Sequence, residues 1–228
     1  MSTTEDLVAA VKGGDAASVA QLVRDEPGLA STRDADGVSV LMLSRNRSNR
    51  AVTDALLAAD PDLDVFEAAA LGYLDRLRER LEEDLERTRL LSADGYTALH
   101  LAAFFAKPEA ARILLEAGAP VDVVAANEMR VQPLHSAAAG RQPEICRMLL
   151  AAGADVDARQ AGGFTPLHAA AEHGDPEMVE LFLSAGADAS ATTDDGKTPA
   201  AAADAAGHLD IARRLRDVAA ATSGAAPI

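Results

Sequence analysis

Apolar positions in residues 163–196 follow two helical runs separated by polar breaks. Leu167, Ala170 and Ala171 lie at helical spacing, so one face of a short helix is apolar. Thr165 stands where an N-cap hydroxyl takes up an orphan backbone N–H, Pro166 has the fixed φ suited to a first turn, and Gly174 ends the run. Asp175-Pro176-Glu177 repeats that start. Met178, Val179, Leu181, Phe182 and Leu183 then give a second, more apolar helix that stops at Gly186. Residues 187–193 are polar and extended, Asp195-Gly196 is a turn pair, and Lys197-Thr198-Pro199 begins the pattern again. Thr165 and Thr198 are 33 residues apart, so the pattern is a repeat.

Neither helix buries its apolar face alone, so such units are stable only when stacked, which is the logic of a solenoid. Gly163, Thr165-Pro166-Leu167-His168, Ala170-Ala171, Gly174, Leu181, Leu183 and Gly186-Ala187-Asp188 together resemble the ankyrin repeat. The resemblance implies an all-α solenoid of about seven helix-turn-helix units with short hairpin loops, and a non-enzymatic scaffold for protein–protein interaction.

The remaining units are read around this one, within a single solenoid over residues 1–221. Residues 4–36 form a cap-like N-terminal unit, with Leu7, Val8 and Val11 on one helix and Val19, Leu22 and Val23 on the next. Residues 37–93 hold two degenerate units, 94–193 three well-matched ones and 194–221 a polar C-terminal cap, while 222–228 form a flexible tail. Leu74, Leu77, Leu81 and Leu85 keep steps of three and four, so the second helix of the third unit is expected to run long. Arg78–Glu82, Arg80–Asp84 and Glu83–Arg87 are the expected pairs on its polar face. Thr97, Gln132, Thr165 and Thr198 open the last four units at steps of 35, 33 and 33. Two residues are therefore inserted within 123–131, and that hairpin is expected to protrude.

Composition narrows the function classes. The chain has 36 acidic against 21 basic residues, a net charge of -15, which argues against nucleic acid or an anionic membrane surface as partner. Aromatics make up 3% and Trp is absent, so the core must be packed from Ala, Leu and Val. The single cysteine, Cys146, falls on an apolar position of a second helix and reads as a buried spacer. The start MSTTEDLVAAVKGG lacks the basic residues and apolar core of a secretory signal, and no run reaches the ~18 apolar residues of a membrane span. The expected location is cytoplasmic and the expected state a monomer. One basic run, RNRSNR at residues 45–50, reads either as a solvated connection or as a site for an acidic ligand.

His100, His135 and His168 recur at one place in successive units. Stacked helices lie about 8–10 Å apart, whereas zinc needs its nitrogens within about 2.1 Å of one point. The resemblance implies instead that these side chains bond to backbone and tie neighbouring units. His168, Glu172 and His173 lack the spacing of a helical zinc site, and Asp34, Asp36 and Gly37 lack the closing Glu of a calcium loop. No catalytic residue, cofactor or metal is expected, and the partner is an unidentified protein.

The resemblance places partner binding on the concave side, at hairpin tips and at the two residues after each Ala-Ala pair. In the fourth unit these are Asp94, Tyr96, Phe104 and Phe105; in the fifth, Met129, Val131, Ala139 and Gly140; in the sixth, Gly162, Phe164, Glu172 and His173. Four of the seven aromatic residues lie in this set, either as an interface hot spot or as packing between neighbouring units. A rival functional reading is an acidic regulator or inhibitor that covers a basic site on an enzyme or nucleic-acid-binding protein.

Overall fold

The computed structural model describes residues 3–46 and 50–223. The middle of the basic run, residues 47–49, and residues 224–228 of the expected tail lie outside the described residues. Helices among the described residues are α1 (Thr3–Gly13), α2 (Ala16–Asp25), α3 (Val40–Asn46), α4 (Arg50–Leu57), α5 (Val65–Leu71), α6 (Leu74–Glu83) and α7 (Ala98–Phe104). They continue as α8 (Pro108–Glu116), α9 (Pro133–Ala139), α10 (Pro143–Ala151), α11 (Pro166–Glu172), α12 (Pro176–Ser184), α13 (Pro199–Ala205) and α14 (Leu209–Ser223). Neighbours pair in chain order, from α1 against α2 to α13 against α14. First helices also pack in a row, α5 to α7, α9, α11 and α13, and second helices in another, α6 to α8, α10 and α12. Among the described residues there is no strand, only an isolated bridge between Arg33 and Ser39, and no helix long and apolar enough to cross a membrane. The architecture is therefore an all-helical solenoid.

Small side chains make the first-helix row possible. Ala68-Ala69, Ala102-Ala103, Ala137-Ala138 and Ala170-Ala171 are buried, and with no bulk beyond Cβ they let successive helices approach closely. Larger, fully buried fillers come from both rows, Leu99, Leu134 and Leu167 on first helices and Leu77, Leu114, Leu149 and Phe182 on second helices. Cys146 is buried among them, and desolvation pushes its thiol up to about 12.

Each hairpin closes with a backbone bond: Ser92 N–H to Tyr96 O at 2.8 Å, Gln160 to Phe164 at 3.0 Å and Thr193 to Lys197 at 2.9 Å. In the lengthened hairpin Ala125 N–H reaches Val131 O at 2.7 Å, so the two extra residues sit between those positions. Its tip, Glu128 to Arg130, is exposed. Its flanks are stitched to both neighbours, Ala126 N–H to Gly95 O at 2.9 Å and Ala161 N–H to Met129 O at 3.0 Å. Gly95 permits that approach, since a Cβ there would lie 2.8 Å from the Ala126 backbone, at a φ of +83°.

Three expectations are corrected around the third pair. Helix α6 does not run long: Asp84 turns extended at φ -163°, accepts from Glu86 N–H, and starts a 3-10 turn that leaves Leu85 60% exposed. Arg78 pairs at i,i+3 with Asp75 at 3.0 Å, and Arg80 pairs at i,i+3 with Glu83 at 3.1 Å and reaches outside the helix to Asp62. Glu83 and Arg87 meet as expected, at 2.5 Å. The second pair passes into the third without a hairpin, Ser31 Oγ accepting from Asp62 N–H and Arg33 reaching Asp64. At the other end α14 continues to Ser223, two residues into the expected tail.

Candidate functional site: a groove across the first helices and hairpins

The site is positioned by the starts of α7, α9 and α11. His100 Nδ1 accepts from Thr97 N–H at 3.3 Å, His135 Nδ1 from Gln132 at 3.2 Å and His168 Nδ1 from Thr165 at 3.2 Å. An Nδ1 that accepts leaves the proton on Nε2, which donates forward to a carbonyl of the next hairpin region. The distances are 3.0 Å to Val131 O, 2.9 Å to Ala158 O and 3.0 Å to Lys197 O. Each imidazole thus closes a cap on its own helix and fixes the backbone of the next unit, as the resemblance implied. Burial lowers all three from the ordinary histidine value, His100 to about 4, so they are neutral at pH 7. Both nitrogens of each ring are committed, and among the described residues no cluster of His, Cys, Asp or Glu could hold a metal ion.

Held in this way, the first helices and hairpins wall a groove of about 1460 Å³. Of the residues expected to bind, Asp94, Tyr96, Phe104, Phe105, Met129, Val131, Ala139, Phe164, Glu172 and His173 all line it, so the structure brings together side chains from three helix pairs. Gly140 and Gly162 do not line it. Phe104 is 50% exposed and Met129 52%, the two large apolar groups most open to solvent here.

The aromatics divide between contact and packing. Tyr96 lies 5.9 Å from the His100 ring and Phe164 5.7 Å from His168, so each covers its imidazole while one side still faces the groove. Phe105 is half-buried against the Met42, Ala70 and Leu101 cluster, and Phe104 meets it edge-on at 5.2 Å. Val131, expected on the open surface, is only 8% exposed. Its carbonyl accepts from His100, which draws the residue down to the groove floor. Phe104 and Phe105 are neighbours in sequence with opposite fates, because Phe104 ends α7 whereas Phe105 is already its C-cap, φ -89° and ψ 17°.

Several lining residues were not on the expected set: Leu57, Leu71, Tyr73, Arg45 and Lys107. Arg45 lies in the basic run, one signal that did point here. Its guanidinium sits 4.7 Å over the Phe105 ring. Lys107 carried no sequence signal, since it is a lone charge at the start of α8.

Two family models match the chain, both describing ankyrin repeats. One, of three copies, covers residues 65–160, and the other, of many copies, covers residues 149–203. Together they span well over half of the chain. No curated protein matches it.

Proposed function

Since the chain belongs to the ankyrin-repeat family, whose repeats generally mediate protein–protein interaction, we propose that it is a non-enzymatic scaffold that grips a protein partner in this groove. The observation that carries the reading is the pair Phe104 and Met129. Two large apolar side chains, each about half exposed, stand on a pre-organised wall where burial by a partner returns the most free energy. The wall itself is fixed by the histidine struts and the hairpin stitching, so little ordering entropy is lost on binding.

The test is affinity capture with the full chain, comparing Phe104→Glu and Met129→Glu with Glu116→Lys, which changes an exposed residue outside the groove lining. Both groove variants are expected to weaken partner capture by at least about tenfold with the melting temperature unchanged, and the control to leave capture intact. Equal capture by all three sinks the groove reading. Loss confined to reversal of exposed acids outside the groove favours the acidic inhibitor instead.

A further inference from the structure

The groove has a cationic end in an otherwise acidic molecule. Carboxylates answer most other cations of the chain at close range: Lys12 meets Asp34, Arg112 meets Glu109, Arg147 meets Glu177, Arg159 meets Asp194 and Arg214 meets Glu180. Among the described residues Arg24, Arg89 and Arg130 lack such a partner outside the groove lining, and Arg45 and Lys107 lack one within it. The Arg45 guanidinium carbon sits 4.7 Å from the centre of the Phe105 ring, and Arg45 Nε is buried without an acceptor. The Lys107 stem packs on the Gly72 backbone, with Cδ 3.1 Å from where a Cβ would stand. Its ammonium is held below the ordinary lysine range, first by burial and then by the charge of Arg45.

Folding alone gives no reason for this arrangement. Lys107 occupies the N-cap of α8, the positive end of a helix dipole, where the next two pairs place Gln142 and Asp175. Two like charges brought together and partly desolvated oppose the fold, and an anion between them reverses the sign. A guanidinium stacked on a ring keeps its edge free for a two-pronged acceptor, the geometry of a carboxylate.

We propose that this end of the groove, Arg45 and Lys107 beside Phe105, receives a carboxylate of an acidic segment of the protein partner, whose neighbouring apolar side chain settles on Phe104 and Leu71. The proposal rests on the groove reading above and adds the chemistry of the occupant. A polyanion fits less well, because Asp94 and Glu172 line the same groove and the chain carries a net charge of -15. One carboxylate with apolar neighbours matches a lining in which Arg45, Arg50 and Lys107 stand with aromatic rings and with the carboxylates of Asp54, Asp94 and Glu172.

The probe is a random peptide library displayed on phage and selected on the full chain. Enriched peptides are expected to carry Asp or Glu next to Phe, Leu or Met. Each of Arg45→Glu and Lys107→Glu should weaken a selected peptide by at least about tenfold, and its acid-to-Lys counterpart should bind the reversed variants better than the wild type. Lys107→Gln, which copies the residue found at the same cap in the fifth pair, guards against misfolding and should also lose affinity with an unchanged melting temperature. Basic or uncharged selected peptides, no selectable peptide, or affinities indifferent to both charge reversals overturn the proposal. So does displacement of the peptide by inorganic phosphate or an oligonucleotide in preference to acetate. If the reversals do nothing while Phe104→Glu still abolishes partner capture, the acidic occupant falls and the groove stands. If neither has an effect, both fall.

Discussion

In the third helix pair the third residue of the first helix is Glu67, whereas in the fourth, fifth and sixth it is His100, His135 and His168. All four side chains reach back to the N–H of their own cap residue, Glu67 to Asp64 at 2.9 Å. The difference lies in the other direction. A neutral imidazole has a donor left over and hands it to the carbonyl of the next segment; an ionised carboxylate only accepts. Glu67 turns to a donor behind it, Ser39 of the second pair. The segment after the third pair is accordingly less tied down: Leu85, Leu90 and Leu91 are all exposed between α6 and the next hairpin. In this stack, the chemistry of the third residue of a first helix decides whether a unit is fastened forward or backward.

The two chemistries respond to acid with opposite sign, and this gives the largest expected effect. The folded histidines bind protons less readily than the unfolded chain, so their stabilisation is full above pH about 6.5 and is lost as pH falls toward about 4, the value for His100. That one group accounts for about 3 kcal/mol, and His135 and His168 shift in the same direction. Glu67 is raised, first by burial and then by Asp64, so its contribution improves as pH falls and worsens as pH rises through its folded value. Urea unfolding across this window is expected to lose stability steeply, with amide exchange rising around Val131, Ala158 and Lys197 before residues 64–71. A flat profile would break the comparison.

Removing one strut is the next largest change. His135→Ala is expected to cost about 2–3 kcal/mol through two lost buried hydrogen bonds and a cavity, against about 1 kcal/mol for Glu67→Ala, which has no forward bond to lose. Chemical denaturation of both variants at neutral pH measures the gap, and equal losses would mean that the forward bond contributes nothing. Glu67→Gln sharpens the same point with a smaller effect. It keeps an acceptor for Asp64 N–H and removes a buried charge, so stability at neutral pH should hold or rise by about 1 kcal/mol. A loss of that size instead would show the ionised carboxylate to be the stabilising form.

The smallest effect concerns the ends of the first helices. Gly72, Gly174 and Gly207 take a left-handed φ there, and at the same place the fourth and fifth pairs force Ala106 to +57° and Arg141 to +56°. Relief of that strain outweighs the greater unfolded-state entropy of glycine, so Ala106→Gly and Arg141→Gly should each gain about 0.5 kcal/mol by thermal melting. Gly174→Ala should move the other way, since a Cβ there would also strike the His208 ring. A gain from Gly174→Ala would sink the strain account.

Much of the fold was legible because its determinants are local. Thr165-Pro166-Leu167-His168 specifies a capped first turn within four residues, and the step of 35 before Gln132 placed two extra residues in one hairpin, where they lie between Ala125 and Val131. The third pair was misread for the same reason. The leucine period through Leu85 favoured a long helix, but Asp84 caps a new turn and the ion pairs of Arg80 tie α6 to Asp62, a contact outside any helical period.

Sequence by itself determined the repeat, its helices, the caps and the period of the histidines, since each arises from bonds spanning three or four residues and from a period that returns them to register; the forward bonds of the ladder span 23 to 31 residues and close only in the stack. Only the tertiary structure decided the groove. It placed Arg45 over Phe105 across some 60 positions of sequence, left Phe104 in solvent while Phe105 packs on Met42, and set Lys107 beside Arg45. A period fixes which face each helix turns inward, but the partners across neighbouring units are chosen by how closely the units stack, and that depends on every small side chain in the row between them.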